Sequence, residues 1–403
     1  MKRTLVSRRG LVAGAGLAAL VGLSACSFGG STDDSADDSA FETTVEEPEK
    51  DKVQSLVDSM TLEQKVAQLF IVTPEQLTGV GVAVAAGDAT KAALESYPVA
   101  GLCYFAQNIT GADQLKEMLA NTLEYSAQAG AGIKPFLTVD EEGGPLVSRV
   151  ANSGFFDVAT FPDMDQIGAS GDTSQAANVG TAIGSYLHGI GFNVDFAPVA
   201  DVLTNPGNQV IGKRAFSSDA NVVSQMVSAE VGAMLQTGVL PCVKHFPGHG
   251  DTEGDSHTGA VYATRTREQM EACEFLPFKA GIEAGCPLVM VGHIEAPNVA
   301  ADGLPATLSS TMMTDILRGE LGFDGAIVSD SFVMGAITES YEPADAAVRY
   351  IQAGGDIILM TPDLPAAHQG IMDAVSAGTI AESRIDESMK RILKAKDQAG
   401  LLA

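Results

Sequence analysis

The densest run of chemistry-bearing side chains in the sequence is Lys244-His245-Phe246-Pro247-Gly248-His249-Gly250-Asp251, with Asp255-Ser256-His257 close behind. Imidazole titrates near neutrality, and a carboxylate beside it fixes its tautomer and raises its basicity. Asp255, two residues before His257, makes that histidine a candidate general acid/base. A plain loop ion pair is the competing use. Two further carboxylates end apolar runs. Asp330 closes Gly325-Ala326-Ile327-Val328-Ser329-Asp330, and Asp140 precedes Glu141-Glu142-Gly143-Gly144. A carboxylate at the exit of an apolar strand is costly unless it is used or paired. The acidic, glycine-bearing turn after Asp140 suits presentation of side chains to a polyhydroxyl ligand, or is simply a solvated turn.

Other chemistries fit less well. His245 and His249 are four apart, but the Pro247-Gly248 between them excludes the helical zinc pair. No CxxC spacing exists, so no metal and no cofactor are expected, a zinc or iron site of another geometry being the alternative. A strand-placed G-x-S-x-G is missing, and the glycine pattern at Gly14–Gly16 falls in the leader, not after a strand.

These residues must be held by a scaffold. Short, nearly continuous apolar runs recur at 68–73, 99–105, 135–140, 193–198, 240–246, 288–293, 325–330 and 354–360. Such runs are what strands of a parallel sheet buried on both faces look like. Amphipathic stretches at 112–129, 176–188, 220–236, 268–284 and 343–352 alternate with them. Thr61-Leu62-Glu63-Gln64 has the form of a capping box. A helix over 385–396 presents Ile385, Met389, Ile392 and Leu393 on one face for packing against the rest. Eightfold β/α alternation predicts an α/β fold of the (β/α)8 barrel type, with a doubly wound open sheet as the alternative. In a barrel the active site lies at the C-terminal ends of the strands. Reading those ends gives Asp140, Asp195, Lys244-His245, His293 and Asp330.

Taken together, Lys244-His245-Phe246-Pro247-Gly248-His249-Gly250, Asp255-Ser256-His257 and a strand ending Ser329-Asp330 resemble the single-domain β-N-acetylglucosaminidases of glycoside hydrolase family 3. The resemblance runs over most of 51–395 and includes the Asp140-x-Glu142-Gly143-Gly144 turn, 193–201, 212–219 and 322–330. It implies a retaining exo-β-N-acetylhexosaminidase acting through a covalent glycosyl-enzyme on Asp330. His257 would be the acid/base, tuned by Asp255. Asp140, Arg149, Arg214, Lys244 and His245 would bind the sugar. The acid would come from the barrel loop, whereas two-domain β-glucosidases of the family take it from a second domain. Phosphorolysis or β-glucoside hydrolysis on the same scaffold, and a sugar-binding protein without turnover, are the alternatives. The chain has no Trp, so Tyr104, Phe105 and Phe216 are the candidate stacking platforms.

The remaining signals concern address. Residues 1–25 carry Lys2, Arg3, Arg8 and Arg9 and no acid, followed by an apolar run from Leu11 to Leu23. That run is shorter than the roughly 20 residues a membrane-spanning helix needs, and so reads as a secretory signal. Ser7-Arg8-Arg9 suggests the twin-arginine route. Leu23-Ser24-Ala25-Cys26 resembles a bacterial lipobox, which makes Cys26 the expected lipidated N-terminus. Residues 26–50 form an acidic tether; 27–50 hold eight acids against one lysine, too polar to fold. The expected organisation is signal 1–25, tether 26–50 and catalytic barrel 51–403. The protein would be exported and anchored by lipid to the outer face of the bacterial cell membrane, where a cell-wall glycan or its fragments would be the substrate. Cys103 and Cys242, inside apolar runs, read as core thiols. A net charge of −27 argues against nucleic acid as a partner, because phosphate is repelled.

Overall fold

The computed structural model describes residues 51–254, 256 and 259–402. The signal, Cys26 and the tether lie outside the described residues. Eight parallel strands close into a barrel: β1 (Phe70–Val72), β2 (Gly101–Cys103), β3 (Phe136–Val139), β4 (Val194–Asp195), β5 (Leu240–Phe246), β7 (Leu288–Val291), β9 (Ala326–Ser331) and β10 (Ile357–Leu359), which pairs back to β1. Seven fall within one of the eight apolar runs and β9 extends one residue past its own, and their residues are almost all buried, as strands covered on both faces must be. The open-sheet alternative is therefore excluded. A small parallel pair outside the barrel, β6 (Val261–Tyr262) with β8 (Ile294–Glu295), was not legible as strand in the sequence. Two residues carry no periodicity to read.

Helices pack around the barrel as the amphipathic stretches require: Ala112–Ala127, Thr173–Ile190, Ala220–Leu235 and Pro343–Ala353. The expected single helix over 268–284 is instead two, Arg267–Glu271 and Phe275–Glu283. Pro277 explains the break. In a continuous helix its ring would clash with the carbonyl of Cys273, whereas in the first turn of a new helix it is tolerated. The capping box forms, with Gln64 N donating to Thr61 Oγ1 at 3.3 Å and Thr61 N donating to Gln64 Oε1 at 3.1 Å. The last helix, Glu382–Gln398, buries Ile385 and Ile392 in the main core. Its Met389 and Leu393 cluster with Val53 and Val57 of the first described helix, Lys52–Ser59, and with Met60 just after it. Among the described residues no helix is long and apolar enough to cross a membrane.

Two irregularities interrupt the hydrogen-bond ladder of the barrel. The β5–β7 register shifts between Val243 and Phe246, and the β9–β10 register shifts where Ile357 and Leu359 face Val328 and Ser331. A bulge breaks strict alternation of side chains and re-aims them. The residues inside these shifts are Lys244-His245 and Ser329-Asp330.

Candidate active site

The two bulged strand ends and the turn after β3 surround a cavity of about 310 Å³ at the C-terminal mouth of the barrel. Asp140, Glu142, Arg149, Arg214, Lys244, His245 and Asp330 all line it. All of these but Glu142 were expected from the sequence, and they come from strand ends and loops far apart in the chain.

The turn is shaped by its own hydrogen bonds. Ser148 Oγ donates to the carbonyls of Gly143 and Gly144 at 2.5 and 2.9 Å, and Glu142 N donates to Val147 O at 2.7 Å. Gly143 has φ +97°, and a Cβ there would stand 2.6 Å from Met164 Sδ, so only glycine fits. The result separates two adjacent glutamates. Glu141 turns inward, accepting from Val150 N, Ala151 N and Tyr186 Oη at 2.7, 2.9 and 2.7 Å. Glu142 faces the cavity and binds Arg214 through both carboxylate oxygens, at 2.7 and 2.8 Å, and Lys244 Nζ at 2.6 Å. Lys244 Nζ also donates to Asp140 Oδ1 at 2.6 Å. Burial would raise the Glu142 carboxyl, but the two cations overcome it and hold the group well below the usual carboxylate range. Lys244 is buried, and burial would lower its pKa. Asp140 and Glu142 more than offset this and keep it charged.

Asp201 organises the β5 loop. Its Oδ2 accepts from His245 Nδ1 at 2.7 Å and its Oδ1 from His249 N at 2.6 Å. His245 Nε2 is then left toward Arg214 Nη2, at 3.5 Å. Gly250 lets this loop approach closely, since a Cβ would lie 2.0 Å from Val202 O. His249 is held by a fixed set of bonds. Thr252 Oγ1 donates to His249 O at 2.8 Å, so His249 Nδ1–H must donate to Thr252 Oγ1, 2.6 Å away. Its Nε2 faces Ser256 Oγ at 3.2 Å, and burial pushes the imidazole below its ordinary value. Ser256 lines the cavity; its neighbours Asp255 and His257, the expected acid/base dyad, lie outside the described residues.

Asp330 sits half-buried on β9, with Oδ1 accepting from Ser331 N at 2.7 Å. Burial alone would raise its carboxyl. His245, His293, the Ser331 N–H and Lys244 together outweigh that and hold it below the ordinary aspartate value. His293 is bonded to Thr307 Oγ1 at 2.8 Å and donates from Nε2 to Ser331 O at 2.9 Å, so it braces the backbone beside Asp330.

Three expectations need correction. Asp195 does not reach the cavity. It is wholly buried, accepts from Glu141 N at 2.9 Å, and burial raises its carboxyl far above the usual range. Tyr104 is a core residue whose hydroxyl pairs with Thr122 at 3.2 Å, and Phe216 is core as well. Of the three proposed platforms only Phe105 lines the cavity, with the Arg149 guanidinium 5.8 Å from its ring centre. Glu142 and Asp201 received no role from the sequence. The signal was present for Asp201, an acid inside the apolar run Phe196–Val202. Among the described residues no group of three His, Cys, Asp or Glu could hold a metal ion.

Comparison with known proteins bears on the same segment. The family described as "Glycosyl hydrolase family 3 N terminal domain" matches residues 61–395. This chain belongs to glycosyl hydrolase family 3. Beta-hexosaminidase A of Pseudoalteromonas piscicida is 36% identical over 328 residues, spanning 75% of this chain and 54% of that protein. Beta-hexosaminidase LpqI of Mycobacterium tuberculosis is 32% identical over 329 residues, spanning 80% of this chain and 81% of that one. The solved structure of a glycoside hydrolase family 3 beta-N-acetylglucosaminidase from Paenibacillus sp. superposes with a TM-score of 0.79 at 34% identity, over 86% of this chain and 64% of that chain. The chain therefore spans less than two thirds of the Pseudoalteromonas and Paenibacillus proteins. The family 3 assignment places the Asp330 cavity in the domain that these proteins share with this chain.

Proposed function

We propose that this family 3 chain is a retaining exo-β-N-acetylglucosaminidase that removes terminal β-linked N-acetylhexosamine from glycans or cell-wall fragments. The observation that carries this reading is Asp330, an ionised carboxylate on a bulged strand end that lines a cavity together with Asp140, Arg149, Arg214, Lys244 and His245. The names of the relatives support the choice of sugar.

The chemistry balances on two groups. The Asp330 carboxylate attacks the anomeric carbon while the bond to the leaving oxygen breaks, and that oxygen takes a proton from His257. His257, oriented by Asp255, then removes a proton from water. The water oxygen attacks the anomeric carbon and Asp330 departs as carboxylate. Two displacements retain the configuration. The usual second carboxylate is replaced by an imidazole. Lys244, Arg214, Asp140, Arg149 and His245 hold the sugar. The Glu142 carboxylate keeps the two cations in place before substrate arrives, so orienting them costs nothing at the moment of reaction.

We also propose the organisation expected from the sequence: a signal over 1–25, lipidation at Cys26, a tether over 26–50 and the catalytic barrel over 51–403, anchored outside the bacterial membrane. Cys26→Ala should release the protein without detergent and leave activity intact. The decisive assay compares aryl β-N-acetylglucosaminide with aryl β-glucoside, with and without phosphate. Hydrolysis of the first, indifferent to phosphate, is expected. Preference for the glucoside, or a glycosyl phosphate product, would overturn the reading.

A further inference from the structure

We propose that the groove leading out of the catalytic cavity is a binding track for an uncharged oligosaccharide on the leaving-group side, with the Tyr262 ring as its outer platform. The inference rests on the proposed glycosidase activity and extends it to the substrate class.

The cavity around Asp330, of about 310 Å³, is one lobe of a longer depression. Val147, Val210 and Arg214 also wall a second hollow of about 800 Å³, open to solvent. That hollow shares Asn205 and Glu253 with a third, of about 680 Å³, which ends at Tyr262. Through these shared walls the three hollows lie in series on one side of the cavity. Their walls are the loop after β4 and the loop after β5, with Leu146 and Val147 of the turn after β3 at the inner end. The loop after β5 is the segment that carries His257 in the sequence. A general acid must lie within hydrogen-bond reach of the oxygen it protonates, so the leaving sugar rests against this loop. The track is therefore on the leaving side.

Its walls are built rather than loose. Asn205 Nδ2 donates to Thr252 O at 3.1 Å while its Oδ1 accepts from Gly207 N at 2.9 Å. Asn208 Nδ2 donates to His249 O at 2.7 Å and its Oδ1 accepts from Ile211 N at 2.9 Å. These bonds tie the two loops together. Tyr262 is likewise fixed, paired with Glu295 on one side and bridged to Glu253 on the other, yet the residue is 48% exposed. An exposed aromatic on a pinned strand offers a large apolar face at little ordering cost. The chain has no Trp, and among the described residues lining the two outer hollows this ring is the aromatic one.

Charge selects among sugars. Arg214 is already neutralised by Glu142, and Arg265, beside the track, is shared between Glu274 at 3.1 Å and Asp251 at 4.0 Å. Glu253 remains on the track as an acid. A sugar bearing a carboxylate meets like charge there, whereas hydroxyl and N-acetyl groups meet amides and hydroxyls.

The test measures kcat and KM of the wild type, Tyr262→Ala and Glu253→Gln on three substrates. They are an aryl β-N-acetylglucosaminide, the uncharged β-1,4 trisaccharide of N-acetylglucosamine, and a disaccharide whose leaving sugar carries a lactyl carboxylate. Tyr262→Ala should lower the ratio of kcat/KM on the trisaccharide to that on the aryl glycoside about tenfold, through KM. Glu253→Gln should raise kcat/KM on the carboxylate disaccharide several-fold relative to the trisaccharide. An unchanged ratio in Tyr262→Ala, or a wild type that prefers the carboxylate disaccharide, overturns the track. If the wild type fails on the aryl glycoside, the glycosidase reading falls instead. Calorimetric titration with the trisaccharide then decides the track alone: weaker binding by Tyr262→Ala supports it, and equal binding rejects it.

Discussion

At the mouth of the barrel Glu142 binds Arg214 and Lys244; at the opposite end Asp356 binds Arg318, Arg384 and Arg391. Both acids are almost wholly buried and both gather cations. The Asp356 cluster is closed. Its carboxylate also accepts from Ile327 N at 2.9 Å and Ser388 Oγ at 2.6 Å, while its arginines bond the carbonyls of Phe323, Gly325, Gly354 and Gly355. These bonds tie the last helix and the β9 and β10 strand starts together. The Glu142 cluster is open. Lys244, Arg214 and Asp140 border a cavity, and Asp330 stands among them. Charge density alone does not mark a site. What marks it is charge fixed by partners on one side and facing a cavity on the other, at the end of the barrel where chain ends of strands converge.

The largest effect should come from the group that only the mouth possesses. Asp330→Asn should reduce turnover by about 10⁴–10⁶-fold while leaving the fold intact. A fluorinated sugar that traps the intermediate should label the Asp330 peptide in the wild type; labelling elsewhere removes its role. Because its carboxyl is held low, the acid limb of kcat/KM should lie below about pH 4, the ordinary aspartate range.

His257→Ala should cost roughly 10²–10⁴-fold on sugar leaving groups. The loss should be much smaller in the first step for a nitrophenyl leaving group, and azide should rescue turnover as a β-glycosyl azide. Equal losses on both substrates without rescue would assign the proton to another loop residue.

The contrast between the two clusters is broken or upheld by a matched pair of variants. Removing one partner from a buried ion cluster costs about 3–5 kcal/mol. Asp356→Asn should show that loss in denaturant unfolding while the folded fraction keeps its kcat/KM. Glu142→Gln should lower kcat/KM as well, since Arg214 and Lys244 lose their common anchor. If both variants change only stability, the mouth cluster is structural like the other. Glu142 also sets a pH window. Its folded pKa is depressed, so its stabilisation is complete above the ordinary glutamate value of about 4.3 and is lost as pH falls toward the folded value.

The smallest effect concerns a third buried acid that has neither partners nor a cavity. Glu230 is fully buried between the Thr173–Ile190 and Ala220–Leu235 helices, close to Gly180, and neither carboxylate oxygen has a hydrogen-bond partner. Burial raises its pKa well above the ordinary value. The unfolded chain therefore holds fewer protons than the folded one above that value, and stability falls as pH rises. Glu230→Met should stabilise by about 1–3 kcal/mol, more at pH 8 than at pH 4.5. A gain that does not depend on pH would show that the carboxyl is ionised in the fold.

Much of the barrel was legible because a strand buried on both faces must be a short apolar run, and eight such runs can be counted. Asp140, Lys244, His245 and Asp330 were legible for a related reason: a polar group ending such a run must be used or paired. The same rule misled at Asp195, which stays buried under the turn after β3. It passed over Glu142, because sequence cannot say which of two adjacent glutamates faces in.

The sequence by itself therefore determined the barrel, the strand ends and the residue types of the site, all of which arise from local hydrophobicity and composition. Tertiary structure alone decided which of those groups share a cavity. Two register shifts turn Lys244-His245 and Asp330 into the mouth, and the Gly143 turn sends Glu141 inward and Glu142 outward. It also set the ionisation of Asp330, through His245 and Lys244 from β5 and His293 from the loop after β7. Those are distances through space between groups 37 to 86 residues apart in the chain, and a linear pattern does not contain them.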